Sequence, residues 1–246
     1  MPNASASVSN SRRRARSRRV VITIDGPAGV GKSTTAKLLA KRLGLLYLDT
    51  GATYRAVAHE VLARGVDPAD AGRAARVARA VRLELRQSPT GELAVLANGR
   101  DVTRAIRSDR VTEAAAIIAQ HPRVRRALVA LQRRLARRRS VVVEGRDTGS
   151  VVFPRATYKF FLTADVRIRA RRRRQELLTL HGQAPTATAL AQQLGRRDRL
   201  DRSRVVGPLI KPDGAIVMNT TRLGAKAVVT RMLRRVRNHI APAELR

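Results

Sequence analysis

Cysteine is missing from the 246-residue chain, and so is tryptophan. The first absence excludes disulfide scaffolds, zinc–cysteine sites, iron–sulfur clusters and thiol nucleophiles. It suits a reducing, cytoplasm-like compartment. Aromatic residues amount to 2%, which argues against binding nucleic acid by stacking bases on aromatic platforms. Acidic residues are scarce, 18 against 51 lysines and arginines, for a formal net charge of +33. No apolar run approaches the roughly 18–20 residues that a membrane span needs. The N-terminal MPNASASVSNSRRRARSRR has no apolar stretch ahead of its arginines, so it is not a secretory signal. Rich in arginine and serine and free of acid, it reads as an organelle transit peptide or as a disordered basic tail. We take residues 1–19 as a disordered tail.

What is present is enough for a sizeable core. Hydrophobic residues make up 43% of the chain, and its length suits one large domain or one domain with an insertion, without staples. The positive excess attracts polyanions and makes binding salt-sensitive. It fits either a nucleic-acid binder or an enzyme for small phosphorylated substrates. Only six of the basic residues are lysines, and arginine and alanine dominate the sequence. That pairing is a bulk bias, so only arginines at motif positions are candidates for function. The four histidines, His59, His121, His181 and His239, have no ligand-like spacing.

VVITID (20–25) is an apolar, β-branched run of strand length. GPAGVG interrupts it, and from Lys32 to Leu43 the apolar spacing becomes helical, with Gly44 as the stop. LLYLD (45–49) is a second strand, followed by a helix ending near Gly65. Residues 66–107 differ in texture: a short helix, the alternating strand VRLELR, a turn, ELAVLA, and a hairpin at Asn98-Gly99. They read as a small antiparallel insertion. Residues 108–138 are helical with a break at Pro122. SVVVEG (140–145) and TYKFFLTA (157–164) are the third and fourth strands of the main series, and GAIVMNTT contains the fifth. A basic helix runs from 166 to 180, a second follows HGQAPT, and Val228, Met232, Val236 and Ile240 stripe the last helix. This alternation predicts an α/β fold, with a five-stranded parallel sheet covered on both faces. Ligands in such folds sit beyond the C-terminal strand ends.

Gly26-Pro27-Ala28-Gly29-Val30-Gly31-Lys32-Ser33 matches G-x-x-x-x-G-K-[ST]. Its glycines let backbone N–H groups curl around phosphate oxygens. The following helix directs its positive N-terminal end at the same anion. Lys32 reaches the β- and γ-phosphates, and Ser33 offers a hydroxyl to magnesium. The position between a strand and a helix is the context this motif requires. A nucleoside triphosphate and Mg2+ follow, with the triphosphate-binding residues running from Gly26 to Thr34.

An acceptor would sit at the other strand ends. Asp49-Thr50-Gly51 follows strand two, with Tyr54 and Arg55 one turn on. Glu144-Gly145-Arg146-Asp147 follows strand three. Arg197, Asp201 and Arg204 fall on one helical face, beside Asp198. Arginines converging with a few carboxylates suit a phosphate-bearing substrate with a polar sugar and base. A monophosphate is already anionic near neutral pH, so catalysis reduces to positioning and charge neutralisation.

ITIDGPAGVGKST, LDTGATYRA, HPRVRRAL, VVVEGRDTGSVVFP, FFLTAD, RDRLDRSRVVGPL and NTT, in that order, resemble the bacterial cytidylate kinase family of P-loop nucleoside monophosphate kinases. The resemblance runs from about Val20 to Ile240. It implies a P-loop three-layer core at 20–65 and 108–246, a lid at about 178–204, and a monophosphate-binding insertion at 66–107. It implies phosphoryl transfer from MgATP to CMP or dCMP in pyrimidine metabolism, by a cytoplasmic monomer with no membrane or specific nucleic-acid partner. It places Thr50 against the substrate, Arg55 and Arg146 on its phosphate, Arg125 near the cytosine, Asp147 on the nucleoside and Asp201 on the ribose. Arg197 and Arg204 become lid arginines near the phosphates. Lys32, Arg146, Arg204 and Arg197 carry the catalysis. Glu144 stands near magnesium, reaching it through water. Ala116 stands where many relatives have a serine for the base, with Thr112 one turn earlier. Glu144 replaces a common aspartate, and Arg199 an acid. Of Arg171 to Arg174, one or two would contact adenine or anchor the lid. The rivals are a kinase for another acceptor such as UMP, a nucleic-acid-dependent ATPase and a non-catalytic polyanion binder.

Overall fold

The computed structural model describes residues 19–88, 93–137 and 139–237. Residues 1–18 of the expected tail, His239 and Ile240 lie outside them. Strand β1 (Val21–Asp25) is buried along its whole length, as a strand covered on both faces must be. Helix α1 (Lys32–Leu43) returns the chain to β2 (Leu46–Asp49) and stops at Gly44. Helix α2 (Thr50–Ala63) follows without a loop.

Next come α3 (Ala71–Ala80), then β3 (Leu83–Gln87), β4 (Leu93–Ala97) and β5 (Arg100–Asp101), which form a separate antiparallel sheet. The β4–β5 turn takes φ of 51° at Asn98 and 81° at Gly99, the positive pair expected of a two-residue hairpin. Leu83, Val95, Ala97 and Val102 belong to the same buried cluster as Val57 and Val61 of α2. The small sheet thus shares its interior with the core.

Two helices, α4 (Asp109–Ile118) and α5 (Pro122–Leu135), flank the break at Pro122. Then come β6 (Val141–Gly145), a π-helical turn at Thr148–Val152 and β7 (Tyr158–Thr163). The chain ends with α6 (Val166–His181), α7 (Ala187–Arg202), β8 (Ile216–Asn219) and α8 (Ala225–Arg237). Val228, Met232 and Val236 of α8 are buried, and this helix packs on α1.

The main sheet has the order β2-β6-β1-β7-β8 with every neighbouring pair parallel. Register aligns Asp49 with Glu144 and Asp25 with Gly145. Three chemically active strand ends therefore finish level, on the edge where ligands of open parallel sheets bind. Among the described residues no helix is long and apolar enough to cross a membrane.

Candidate active site

Gly26 to Gly31 connect the buried β1 to α1. Gly26 has φ of 147°, and a Cβ there would run into the Leu162 carbonyl oxygen on β7, so the loop turns where only glycine fits. The rest of the loop is held from outside. The Thr220 hydroxyl donates to the Val30 carbonyl at 3.0 Å, and Arg169 Nη1 donates to the Ala28 carbonyl at 3.1 Å. Lys32 is buried and donates its Nζ to the Pro27 carbonyl at 2.7 Å. Burial, and next the Arg146 cation, pull its ammonium down to about 7, against the pull of Glu144 and Asp201. Ser33 and Thr34 are exposed at the start of α1.

Glu144 is the next-to-last residue of β6. Its carboxylate accepts from the Tyr47 hydroxyl at 2.8 Å and from the Ser33 hydroxyl. Burial, reinforced by Asp49, pushes its pKa up. The Thr50 hydroxyl donates to the Glu144 carbonyl at 2.7 Å. Asp49 caps α2 by accepting from the Ala52 N–H at 2.9 Å, and its other oxygen holds Arg55 Nη2 at 2.9 Å. The cap thus aims Arg55 back at the strand ends.

Asp201, 2% exposed, binds two arginines. Arg146 Nε donates to its Oδ2 at 2.8 Å, and Arg204 Nη2 to its Oδ1. Burial alone would raise its pKa, but Arg146 and Arg204 hold it below the usual carboxylate range. Arg197 points into the same field; burial and then Arg146 bring it down to about 10. The expectation that Arg204 continues the helical face of Arg197 and Asp201 is corrected. Helix α7 ends at Arg202 with Ser203 as its C-cap, ahead of the helix-breaking Gly207-Pro208. Arg204 reaches Asp201 from beyond the helix.

Deeper in, Arg125 is almost completely buried and donates to Asp147 Oδ2. Its guanidinium lies 5.6 Å from the centre of the Tyr54 ring, within cation–π range. Burial pushes Tyr54 up to about 12. Gly207 lies directly on this pair, at φ of 66°; a Cβ there would collide with Arg125 Nη2 and Asp147 Oδ2. Arg125 Nε and Arg204 Nε are buried without partners.

In the basic run, Arg171 and Arg174 are exposed. Arg173 pairs with Glu176 at 3.0 Å, and Arg172 donates to the Thr220 and Leu223 carbonyls. The arginine that ties α6 to α7 is Arg169, outside that run. Its Nη1 donates to Asp198 on α7 at 2.7 Å as well as to the phosphate loop. Nothing in RIRARRRR distinguishes it. Tyr47 and Thr220 were missed as well. A hydroxyl-bearing tyrosine inside an apolar strand was the available signal for the first. Ala116 is half-buried on α4, and its carbonyl accepts from Gln120 Nε2 at 3.5 Å.

Residues 22–238 match the family model for cytidylate kinase. A cytidylate kinase from Geobacillus kaustophilus is 46% identical over 91% of this chain and 99% of its own length. One from Solibacter usitatus is 46% identical, covering 91% and 94% respectively. Another from Pelotomaculum thermopropionicum is 45% identical, covering 87% and 95%. Identity at that level over nearly the whole length of each relative, together with a family model that matches most of the sequence, shows that this chain belongs to the cytidylate kinase family.

Proposed function

We propose that the chain transfers the γ-phosphoryl group of MgATP to CMP or dCMP, giving ADP and CDP or dCDP. One observation supports it above the others: Lys32 on the donor loop lies in the field of Glu144, Arg146, Arg197 and Asp201. Donor and acceptor groups thus share one buried site. An acceptor phosphate oxygen attacks the γ-phosphorus while the bond to the β–γ bridging oxygen breaks, and ADP leaves with that oxygen. The acceptor phosphate is its own nucleophile, its second pKa being about 6, so no general base is required.

Lys32 exchanges the Pro27 carbonyl for donor phosphate oxygens. Arg55 and Arg146 hold the acceptor phosphate, and Arg197 and Arg204 neutralise charge on the group in flight. Thr50 and Asp201 face the acceptor, while Arg125 and Asp147 flank its base and nucleoside. Ser33 and Glu144 are hard oxygen donors and fit magnesium, Glu144 through water. Among the described residues no group of three or more acids or histidines would hold a metal alone. That agrees with a cation bound through one or two protein oxygens and substrate phosphates. When bound, it neutralises charge on the β- and γ-oxygens. The 66–107 segment serves as the monophosphate-binding insertion; its α3 packs on α5, which carries Arg125. The lid at about 178–204 includes α7, which carries Arg197 and Asp201. The reading takes the enzyme to be a cytoplasmic monomer.

The test is ADP formation from MgATP with CMP, dCMP, UMP and AMP in parallel, with Lys32→Ala as control. Turnover with CMP or dCMP that vanishes in the control is expected. Arg146→Ala lowers it on the order of 10³-fold, the scale of an arginine finger. ADP release that ignores all four monophosphates but rises with RNA or DNA overturns the reading.

A further inference from the structure

Asp25 closes β1 one residue before the phosphate loop, and its side chain is fully buried. Its carboxylate turns toward β6. Oδ1 accepts from the Thr148 N–H and the Thr148 hydroxyl, both at 2.8 Å, and Oδ2 accepts from the Gly149 N–H at 2.7 Å. These donors open the π-turn that follows directly on Arg146 and Asp147. The first N–H groups of a helical turn have no partner within it and carry partial positive charge. Asp147 occupies the capping position, yet its side chain makes no capping bond. It is engaged by Arg125 instead. Asp25 reaches across from the neighbouring strand and supplies the cap.

The fit has no slack. A Cβ on Gly149 would stand 2.8 Å from Thr23 Oγ1, 3.0 Å from Pro212 Cγ and 3.2 Å from Asp25 Oδ2. The turn has closed on Asp25 as far as its backbone permits.

We propose that Asp25 is a positioning residue for phosphoryl transfer. It sets the spacing between the donor-phosphate loop and the Arg146–Asp147 pair that faces the acceptor. By capping the turn it also leaves the Asp147 carboxylate free for the nucleoside side. The inference rests on the CMP kinase reading above.

In Asp25→Asn the volume is kept, but an amide N–H must confront one of the three donors. Thr148→Val removes one donor at constant shape, and Thr148→Ser keeps it. A misplacement of about 1 Å costs on the order of 10²-fold, so kcat with CMP falls about 10- to 100-fold in Asp25→Asn. KM for CMP rises several-fold. KM for ATP stays within about twofold, because Thr220 and Arg169 hold the phosphate loop by bonds that do not involve Asp25. Thr148→Val loses activity in the same pattern and Thr148→Ser restores it. Should Asp25→Asn fail to fold, the Thr148 pair decides. Variants that melt cooperatively yet keep kcat and both KM values within about twofold of wild type overturn the inference, leaving the contact merely structural. Wild type measured alongside separates the two claims: if it is inactive on CMP, the underlying reading fails; if it is active and the variants match it, only this inference does.

Discussion

Asp201→Asn tests the charge balance of the site most directly. Each Asp201 oxygen serves one arginine, Oδ2 for Arg146 and Oδ1 for Arg204. Asparagine is the same size, but it is neutral and turns an N–H toward one of them. Arg197 and Lys32 already carry lowered pKa values in the same field. The substitution therefore leaves Arg146, Arg204 and Arg197 facing one another beside Lys32 with the Asp201 charge gone. Removing one partner of a buried pair costs about 3–5 kcal/mol. The Arg146 side chain keeps 19% exposure and that of Arg204 8%, so some solvent screening remains and about 2–3 kcal/mol is the expectation. For a chain of this size each kcal/mol moves Tm by about 2–4 °C, which gives a fall of roughly 4–12 °C at neutral pH. The pH course is a second check. The folded pKa of Asp201 lies below its ordinary 3.8, so its contribution is present above the unfolded value and is lost as pH falls through the folded one. The gap between wild type and variant thus stays flat down to about pH 5 and closes below about pH 4. Inorganic phosphate, a replacement anion, raises Tm more in the variant than in wild type. Calorimetric or circular-dichroism melts that agree within about 2 °C at neutral pH, or equal phosphate shifts in both proteins, refute the reasoning.

Two further outcomes follow from the same groups. Without nucleotide Lys32 sits at about 7, below its ordinary 10.5, so the unfolded chain binds more protons between those values and nucleotide-free stability rises with pH across them. Phosphate oxygens restore the ammonium, so ATP binding at pH 8 takes up as much as about 0.9 proton; titration calorimetry in two buffers of different ionisation enthalpy reads this directly, and zero uptake contradicts it. Gly207→Ala drives a methyl into the Arg125–Asp147 pair from a φ of 66°. KM for CMP then rises on the order of tenfold or more with little change in KM for ATP, and steady-state kinetics showing no change in KM for CMP would remove Gly207 from the acceptor side.

The parallel sheet was legible because VVITID and SVVVEG are buried runs with no competing period, and the phosphate loop because its spacing is fixed by backbone geometry. The side chains gathered at the strand ends were legible only in part. Arg55, Arg146 and Asp201 stand beside glycines and acids at strand or helix ends, where a motif can be seen. Arg169 does not: it lies in a run of arginines, and only the packing of α6 against α7 and the phosphate loop selects it. The single helical face drawn through Arg204 failed because helical spacing carries no information about where a helix stops. Asp25 could be read as a strand end, but not as a cap for a turn 123 residues away.

The contacts on the phosphate loop bear on the order in which the protein is made. The loop occupies residues 26–31, so the ribosome delivers it before the residues that clasp it. Yet its shape depends on the Leu162 carbonyl beside Gly26, on Arg169 at Ala28 and on Thr220 at Val30, and α1 behind it packs on α8. The nucleotide cradle is thus begun well before it is finished. A chain arrested or cleaved before β8 carries the intact motif but lacks the Thr220 clasp and the α8 buttress, so ATP stabilises such a partial product less than the full chain.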